Sequence, residues 1–265
     1  MQFVRINDVA ITYDVLAAAS TKPVLVFVNS LGTDSRIWHH VVPKLTDDFT
    51  VVTYDKRGHG LSDIGNPPYR MEDHIADLEG LLDHLEFSSV IVCGLSVGGL
   101  IAQGLYAKRP DLVKAMVLSD TAHKIGTAEM WNKRIAVIEE NGIASILDDI
   151  MARWFTDPFR DPASAAYRAY CNMLVRQPAA GYTGTCAAIR DADFTEAAGK
   201  IDVPVLCIVG AQDGSTPPAL VRSLADLIPG SQFEIIEAAA HIPCAEAPAA
   251  FAAVLRNFII NEVKG

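Results

Sequence analysis

The fold prediction rests on the run SVIVCGLSVGG at residues 89–99. Its first five residues are mostly apolar and β-branched, which predicts a buried strand, and residues 99–108 continue as a predicted helix. Ser96 lies between them, with Gly94 two positions before it and Gly98 two positions after it. Small residues there permit a sharp turn that strains the serine and directs its hydroxyl over the sheet edge. The pattern therefore predicts a nucleophile at Ser96. A phosphate-binding glycine turn is the alternative, but its GxGxxG or GK[ST] pattern is missing.

The remaining chain alternates between predicted strands and helices. Two alternating segments, 2–5 and 10–14, flank a turn at residues 7–8 and predict an opening hairpin. Runs that are apolar on both faces suit buried parallel strands, and they occupy residues 24–28, 51–54, 115–118, 205–209 and 233–236. Helical patterns lie between them, for example at 71–85 and 218–227. With the strand before Ser96, this order predicts an α/β fold with a mostly parallel eight-stranded sheet and helices on both faces.

The alternation stops between about residue 121 and residue 196. Three segments there, 130–140, 143–155 and 163–176, have helical patterns separated by turn dipeptides. An all-helical stretch between two halves of a sheet predicts an inserted cap. We therefore expect a core of residues 1–120 and 196–265, and a helical cap of residues 121–195.

The composition is acidic, with a net charge of −10 over 265 residues. An acidic surface disfavours nucleic-acid binding, because phosphate recognition needs clustered lysines and arginines. Signal-peptide and membrane-spanning patterns are missing, which predicts a cytoplasmic protein that does not bind membranes. The five cysteines form no CxxC pair, so we expect buried, reduced thiols. The oligomeric state is left open.

A serine hydroxyl needs a base, and His241 is the candidate. It follows the last predicted strand on a loop of small residues, and it comes after the acid in the chain order serine, acid, histidine. Asp213, after the strand at 205–209, is the favoured acid that orients the imidazole. Asp120, after the strand at 115–118, is the rival candidate for this acid. If it is not the acid, it is interpreted as a helix cap or as a hinge of the cap.

Two backbone N–H groups are expected to bind the oxyanion. One belongs to Val97, the residue after the nucleophile, and the other to Leu31, in the loop after the third strand. The charged, glycine-rich segment 54–62 is interpreted as a structural loop in which Asp55 pairs with Arg57. Neither a metal-ligand cluster nor a cofactor motif is present in the sequence, so no metal and no cofactor are expected.

Together these motifs resemble those of 3-oxoadipate enol-lactonases, which are α/β-hydrolases of the β-ketoadipate pathway of bacterial aromatic degradation. The similarity spans nearly the whole chain, is weakest in the cap, and is carried by segments 29–34, 55–62, 94–99, 213–218 and 239–248. Asn29-Ser30, where many relatives have His-Gly, is typical of enol-lactonases in particular.

The resemblance implies a serine esterase that opens a small anionic enol-lactone through an acyl-enzyme. The substrate carboxylate then needs a cation, and Arg134 in the cap is a candidate, with Trp131 three residues before it and Trp154 as possible aromatic walls. A general carboxylesterase, or a carbon–carbon bond hydrolase with the same three catalytic residues, is the alternative enzyme. A non-catalytic ligand-binding protein of this fold is the alternative of another class.

Overall fold

The computed structural model describes residues 1–19 and 21–263, and within them one eight-stranded sheet carries the fold. The strand order is β1-β2-β4-β3-β5-β6-β7-β8. The pairs β1–β2 and β2–β4 are antiparallel, and the other five pairs are parallel. The strands are β1 (Gln2–Ile6), β2 (Val9–Leu16), β3 (Val24–Val28), β4 (Thr50–Tyr54), β5 (Val90–Leu95), β6 (Val113–Ser119), β7 (Val205–Gly210) and β8 (Gln232–Ile236). The predicted α/β fold with a mostly parallel eight-stranded sheet is confirmed.

Helices that connect the strands pack against this sheet. They are α1 (Met71–His84), α2 (Val97–Lys108), α8 (Pro218–Leu227), α9 (Pro243–Glu246) and α10 (Pro248–Glu262). The residues of α2 from Val97 to Tyr106 are all buried, as expected for a helix that is apolar on every side and lies between α1 and strands β5 and β6. This burial fixes the start of α2, and with it the position of Ser96.

The chain between β6 and β7 contains helices and no strand, and it lies wholly within the part of the chain that the structure describes. The helices are α3 (Ala128–Asn141), α4 (Leu147–Trp154), α5 (Ala165–Val175), α6 (Ala179–Asp191) and α7 (Thr195–Ala198). The sequence patterns did not predict α6, which contains two glycines. Its Gly181 lies so close to the turn at Gly58 that a Cβ atom there would come within 2.1 Å of the Gly58 carbonyl oxygen. We propose that residues 121–195 form a cap on the core of residues 1–120 and 196–265.

The predicted pairing of Asp55 with Arg57 is wrong. Arg57 instead binds Asp77 of α1 through two hydrogen bonds, from Nε at 2.6 Å and from Nη2 at 2.8 Å. The carboxylate of Asp55 accepts hydrogen bonds from the backbone N–H groups of Ser35 at 2.8 Å and Leu61 at 2.9 Å. Arg57 therefore finds its partner in α1, and Asp55 binds the backbone of its own turn and of the loop after β3.

All five cysteines are free, and four are buried while Cys171 is half-buried. Among residues 1–19 and 21–263, no helix combines the length and the apolarity that crossing a membrane requires.

Candidate active site

The four residues singled out as nucleophile, base and competing acids all lie at one edge of the sheet. Ser96 follows β5, Asp120 follows β6, Asp213 comes shortly after β7, and His241 lies in the loop after β8. These four strands are adjacent and parallel, so their carboxyl ends meet at the same edge. In open α/β sheets, ligands bind outside that edge.

Ser96 forms the turn between β5 and α2. Its backbone has φ +57° and ψ −117°, a region that residues other than glycine rarely occupy. Such a conformation costs about 1–3 kcal/mol and persists only where the surrounding structure enforces it. Two hydrogen bonds help to enforce it: the Ser96 N–H donates to the Ser119 carbonyl at 2.9 Å, and the Thr121 hydroxyl donates to the Ser96 carbonyl at 2.6 Å.

The two glycines around Ser96 are required by close backbone contacts. A Cβ atom on Gly94 would come within 2.2 Å of the Gly98 carbonyl oxygen, and one on Gly98 would come within 2.1 Å of the Val28 carbonyl oxygen. The turn therefore packs directly against the end of β3. This contact also brings Ser96 next to the loop that follows β3.

His241 and Asp213 are hydrogen-bonded, with 2.8 Å between the His241 Nδ1 and the Asp213 Oδ2. Both are buried. With Nδ1 donating to the carboxylate, Nε2 is left as the nitrogen that can accept a proton. Ser96 and His241 line the same pocket.

The loop after β7 stabilises the charge on Asp213. Its Oδ1 accepts hydrogen bonds from the N–H groups of Ser215 at 2.7 Å and Thr216 at 3.0 Å, and its Oδ2 accepts one from the Thr216 hydroxyl at 2.7 Å. Burial opposes the negative charge, but His241 and these hydrogen bonds outweigh it and lower the pKa of Asp213. Thr216 was not predicted to belong to the site.

Asp120, the rival acid, is completely buried beside this pair. Its Oδ1 accepts a hydrogen bond from the Gly210 N–H at 2.9 Å, and its Oδ2 lies 2.6 Å from the Ser119 hydroxyl. Burial, together with the charge of Asp213, raises the pKa of Asp120 well above its usual range. The surroundings therefore favour the neutral form of Asp120, and Asp213 is the carboxylate that contacts the imidazole.

One oxygen or nitrogen of each of Asp120, Asp213 and His241 lies within 4.8 Å of the others, a spacing that a metal ion could use. The same groups already satisfy one another, because Nδ1 of His241 binds Asp213 directly and both oxygens of Asp120 have hydrogen-bond partners. The donor set thus fits an acid–base relay better than a metal centre.

The backbone N–H groups of Leu31 and Val97 have no acceptor among residues 1–19 and 21–263, and each lies next to the pocket residue Ser30 or Ser96 in the chain. Val97 is the first residue of α2, where an N–H has no intrahelical partner. Leu31 lies in the loop after β3 and lines the pocket with Ser96. These are the two residues that the sequence predicts as oxyanion donors.

The loop after β3 is held by side chains from elsewhere in the core. Asn29 donates to the Tyr54 carbonyl at 2.8 Å and accepts from the Trp38 indole N–H at 2.7 Å. The turn after β4 adds two contacts: Lys56 Nζ donates to the Ser30 carbonyl at 2.5 Å, and the Gly32 N–H donates to His59 Nε2 at 3.1 Å. The sequence predicts a structural loop for this turn, but it does not predict these contacts with the loop that borders the pocket.

The three cap residues proposed for substrate binding all line the pocket: Trp131, Arg134 and Trp154. Both tryptophans are buried, and the Trp131 indole N–H donates to the Ile125 carbonyl at 2.7 Å. The Arg134 guanidinium carbon lies 4.8 Å from the centre of the Trp131 ring, so the two side chains share one face of α3. Arg153 and Tyr182 line the same pocket and were not predicted.

A second, wider cleft of about 480 Å³ is lined by residues of α5 and by Arg36, His39 and His40. The residues that line it include no carboxylate, no thiol and no serine or threonine. Tyr170 contributes the single hydroxyl, a phenol. Ser96 and His241 line the smaller pocket and not this cleft.

Comparisons with known proteins identify the family of the chain. A family model described as the alpha/beta hydrolase fold matches residues 23–142. The chain is 36% identical to 3-oxoadipate enol-lactonase 2 of Acinetobacter baylyi over 95% of both chains. It is 33% identical to 3-oxoadipate enol-lactonase 1 of the same organism, over 89% of this chain and 88% of the relative. The enol-lactonase of Burkholderia xenovorans has a structure that superimposes with a TM-score of 0.94 at 32% identity, covering 98% of this chain and all of that one. The chain therefore belongs to the 3-oxoadipate enol-lactonase family of α/β-hydrolases.

Proposed function

We propose that this protein is a serine hydrolase that opens the ring of 3-oxoadipate enol-lactone to give 3-oxoadipate. The observation that carries the proposal is the hydrogen-bonded pair of Asp213 and His241 in one pocket with Ser96, at the carboxyl edge of the sheet. The substrate is taken from the relatives that are enol-lactonases, since the arrangement of the three residues alone fits any carboxylic ester.

In the first half-reaction, Nε2 of His241 accepts the proton of the Ser96 hydroxyl as the serine oxygen attacks the lactone carbonyl carbon. The N–H groups of Leu31 and Val97 stabilise the oxyanion that forms. The ring bond between the carbonyl carbon and the enol oxygen then breaks, and His241 returns its proton to that oxygen. Asp213 stabilises the imidazolium throughout, and an acyl-enzyme with an open-chain enol remains.

In the second half-reaction, His241 accepts a proton from water as the water oxygen attacks the acyl carbon. The bond to the Ser96 oxygen breaks, the serine recovers its proton from His241, and the new carboxylic acid ionises. The enol tautomerises to the ketone, which removes the enol hydroxyl that could close the ring again and so favours hydrolysis. All steps use side chains and backbone N–H groups of this chain, and water.

The free carboxylate of the lactone requires a cation in the pocket, and we assign this role to Arg134. Its guanidinium is half-buried and stacked on Trp131, so it is held in place before the substrate arrives. Trp131 and Trp154 form apolar walls for the ring. Arg153 borders the same pocket but is exposed, which makes it the weaker candidate.

For the cellular setting we propose a cytoplasmic enzyme of aromatic catabolism, in the β-ketoadipate pathway. The free cysteines and the acidic composition support the compartment, and the family supports the pathway.

The test compares turnover of the enol-lactone, followed by its loss of ultraviolet absorbance, with turnover of a neutral aryl ester of similar size. A strong preference for the lactone in kcat/KM, abolished in both assays by Ser96→Ala, is the expected result. Equal or better turnover of the aryl ester would favour a general carboxylesterase. A protein that turns over neither substrate and resists labelling by a fluorophosphonate would be a binding protein.

A further inference from the structure

Lys56 is a fully buried lysine directly behind the proposed oxyanion loop. It lies one residue after Asp55 in the turn that follows β4, and only 1% of its surface is exposed. Its Nζ donates a hydrogen bond to the Ser30 carbonyl oxygen at 2.5 Å and a longer one to the Thr33 carbonyl oxygen at 3.4 Å. No carboxylate among residues 1–19 and 21–263 lies within salt-bridge distance of this ammonium group.

The Ser30 carbonyl and the Leu31 N–H belong to the same peptide unit. In a planar trans peptide the C=O and N–H bonds point in opposite directions. With Lys56 bound to the oxygen, the Leu31 N–H must point away from Lys56, on the side where Leu31 borders the pocket. A cation on the carbonyl oxygen also draws electron density from the peptide, which makes its N–H a stronger hydrogen-bond donor.

We infer that Lys56 is a positioning residue for the oxyanion hole: it helps to hold the orientation of the Ser30–Leu31 peptide, and its charge strengthens the Leu31 N–H as a donor. The inference rests on the proposed acyl transfer at Ser96. The neighbouring peptide supports it, because the Gly32 N–H is fixed by His59 from the same turn. The turn after β4 thus holds two consecutive peptides of the loop.

A purely structural role would not need the charge. The Ser30 carbonyl also accepts hydrogen bonds from the backbone N–H of Thr33 at 3.3 Å and from its hydroxyl at 3.0 Å, so it is satisfied without Lys56. Burying an ammonium group opposite neutral carbonyls is costly, and an apolar side chain of similar volume serves packing as well or better. The buried charge is explained by its effect on the Ser30–Leu31 peptide, whose N–H it makes a stronger donor to the oxyanion.

The charge state of Lys56 depends on its surroundings. The carboxylates of Asp55 and Asp34 favour its protonated form, while burial and the charge of Lys56 lower the pKa of the nearby imidazoles of His59 and His74. Burial outweighs the two carboxylates and lowers the pKa of Lys56 to about 7. The ammonium form, and with it the strengthened N–H, is therefore lost as the pH rises through neutrality.

The test replaces the cation with an uncharged chain of similar length, Lys56→Met, and measures turnover of the aryl ester and the lactone. We expect kcat to fall about 10- to 100-fold, which does not exceed the fall in kcat that removal of a complete oxyanion donor causes. KM should change less than about threefold. The matched control is Lys22→Met, because Lys22 Nζ likewise binds a backbone carbonyl, that of Thr46 at 2.7 Å, away from the pocket. This control should retain wild-type kcat.

A tetrahedral inhibitor separates positioning from general damage. An arylboronic acid forms an adduct with Ser96 that places an oxygen in the oxyanion hole, whereas the product 3-oxoadipate needs no such contact. In Lys56→Met the inhibition constant of the boronic acid should rise by about the same factor as kcat/KM falls, while product affinity stays unchanged. The decline of wild-type kcat above pH 7 should also disappear in this variant. Unchanged kcat and unchanged boronate affinity, or equal losses of boronate and product affinity, would overturn the inference.

A second variant keeps the test decisive if Lys56→Met fails to fold. Lys56→Gln retains an N–H donor without the charge, so it should give a smaller loss of kcat and the same loss of pH dependence. The aryl ester assay makes the inference independent of the substrate. If the lactone is not hydrolysed but Lys56→Met still weakens aryl ester turnover and boronate binding, the substrate proposal fails and the role of Lys56 stands.

Discussion

The carboxyl groups of Asp120 and Asp213 lie together at the ends of adjacent strands, with facing atoms within 4.8 Å of each other and of a ring nitrogen of His241. Only Asp213 is hydrogen-bonded to the imidazole. Two carboxylates at this distance cannot both ionise easily, so burial raises the pKa of Asp120 while His241 lowers the pKa of Asp213. The negative charge is therefore favoured on Asp213, and the neutral form is favoured for Asp120.

Substitution by asparagine distinguishes these two acids. Asp213→Asn removes the charge that stabilises the His241 imidazolium, and we expect kcat to fall by about 10⁴-fold. Asp120→Asn should change kcat less than about threefold, because its amide N–H₂ replaces the O–H of a neutral acid and its oxygen still accepts from Gly210. Steady-state turnover of the aryl ester measures both effects. A large loss in Asp120→Asn with a small one in Asp213→Asn would instead identify Asp120 as the catalytic acid.

The strands and the serine turn could be predicted because their signals are local. A run such as Val24–Val28 is apolar on both faces, and Ser96 has its required glycines two residues away on each side. Because the carboxyl ends of parallel strands meet at one side of a sheet, residues that follow those strands, such as His241 and Asp213, are expected near Ser96. The chain order serine, acid, histidine then indicates which of these residues is the acid and which is the base.

Contacts between distant segments could not be predicted in the same way. Lys56 resembles a surface lysine in a polar turn, and its burial depends on a loop 26 residues earlier in the chain. Arg57 has an acid two residues before it, yet it binds one 20 residues later. The helix α6 has a weak helical pattern because Gly181 is needed for its close contact with Gly58. Each case depends on tertiary packing that local patterns do not encode.

Arg134 should affect binding of the anionic lactone and spare a neutral ester. In Arg134→Met we expect KM for the lactone to rise about 10- to 100-fold, because a hydrogen-bonded charge pair with a carboxylate contributes about 1.5–3 kcal/mol. The kcat/KM for a neutral aryl ester should stay within about twofold of wild type. Arg168→Met, which changes an exposed arginine of α5 outside the pocket, is the matched control. An unchanged KM for the lactone in Arg134→Met would transfer the role to another cation, and Arg153 would be tested next.

Glu246 joins the loop before His241 to the proposed cap. Its Oε2 accepts from the Ala240 N–H at 2.7 Å, and its Oε1 accepts from the N–H and the hydroxyl of Thr156 at 3.0 and 2.7 Å. In Glu246→Ala these buried donors lose their acceptor, which should lower the free energy of unfolding by about 1–3 kcal/mol, as measured by urea denaturation. We also expect kcat to fall, because Ala240 directly precedes the base.

The control for this effect is Glu262→Ala, since Glu262 accepts only an exposed hydrogen bond from Gln232 at 2.9 Å. Its stability and kcat should match those of the wild type. A Glu246→Ala protein as stable and as active as Glu262→Ala would show that the link between the cap and the His241 loop contributes to neither property.

The ion pair of Arg57 and Asp77 connects the turn after β4 to α1, and both side chains are buried. Asn7 completes the contact by donating to Asp77 at 2.9 Å. In Arg57→Met the carboxylate of Asp77 remains buried without its cation, and the free energy of unfolding should fall by about 3–5 kcal/mol. The double variant Arg57→Met with Asp77→Leu should recover most of this loss, because it removes both charges. Urea denaturation of the wild type, both single variants and the double variant forms a complete cycle. If the double variant were as unstable as the sum of the two single variants, the two side chains would not be coupled, and the turn beneath the oxyanion loop would be held by other contacts.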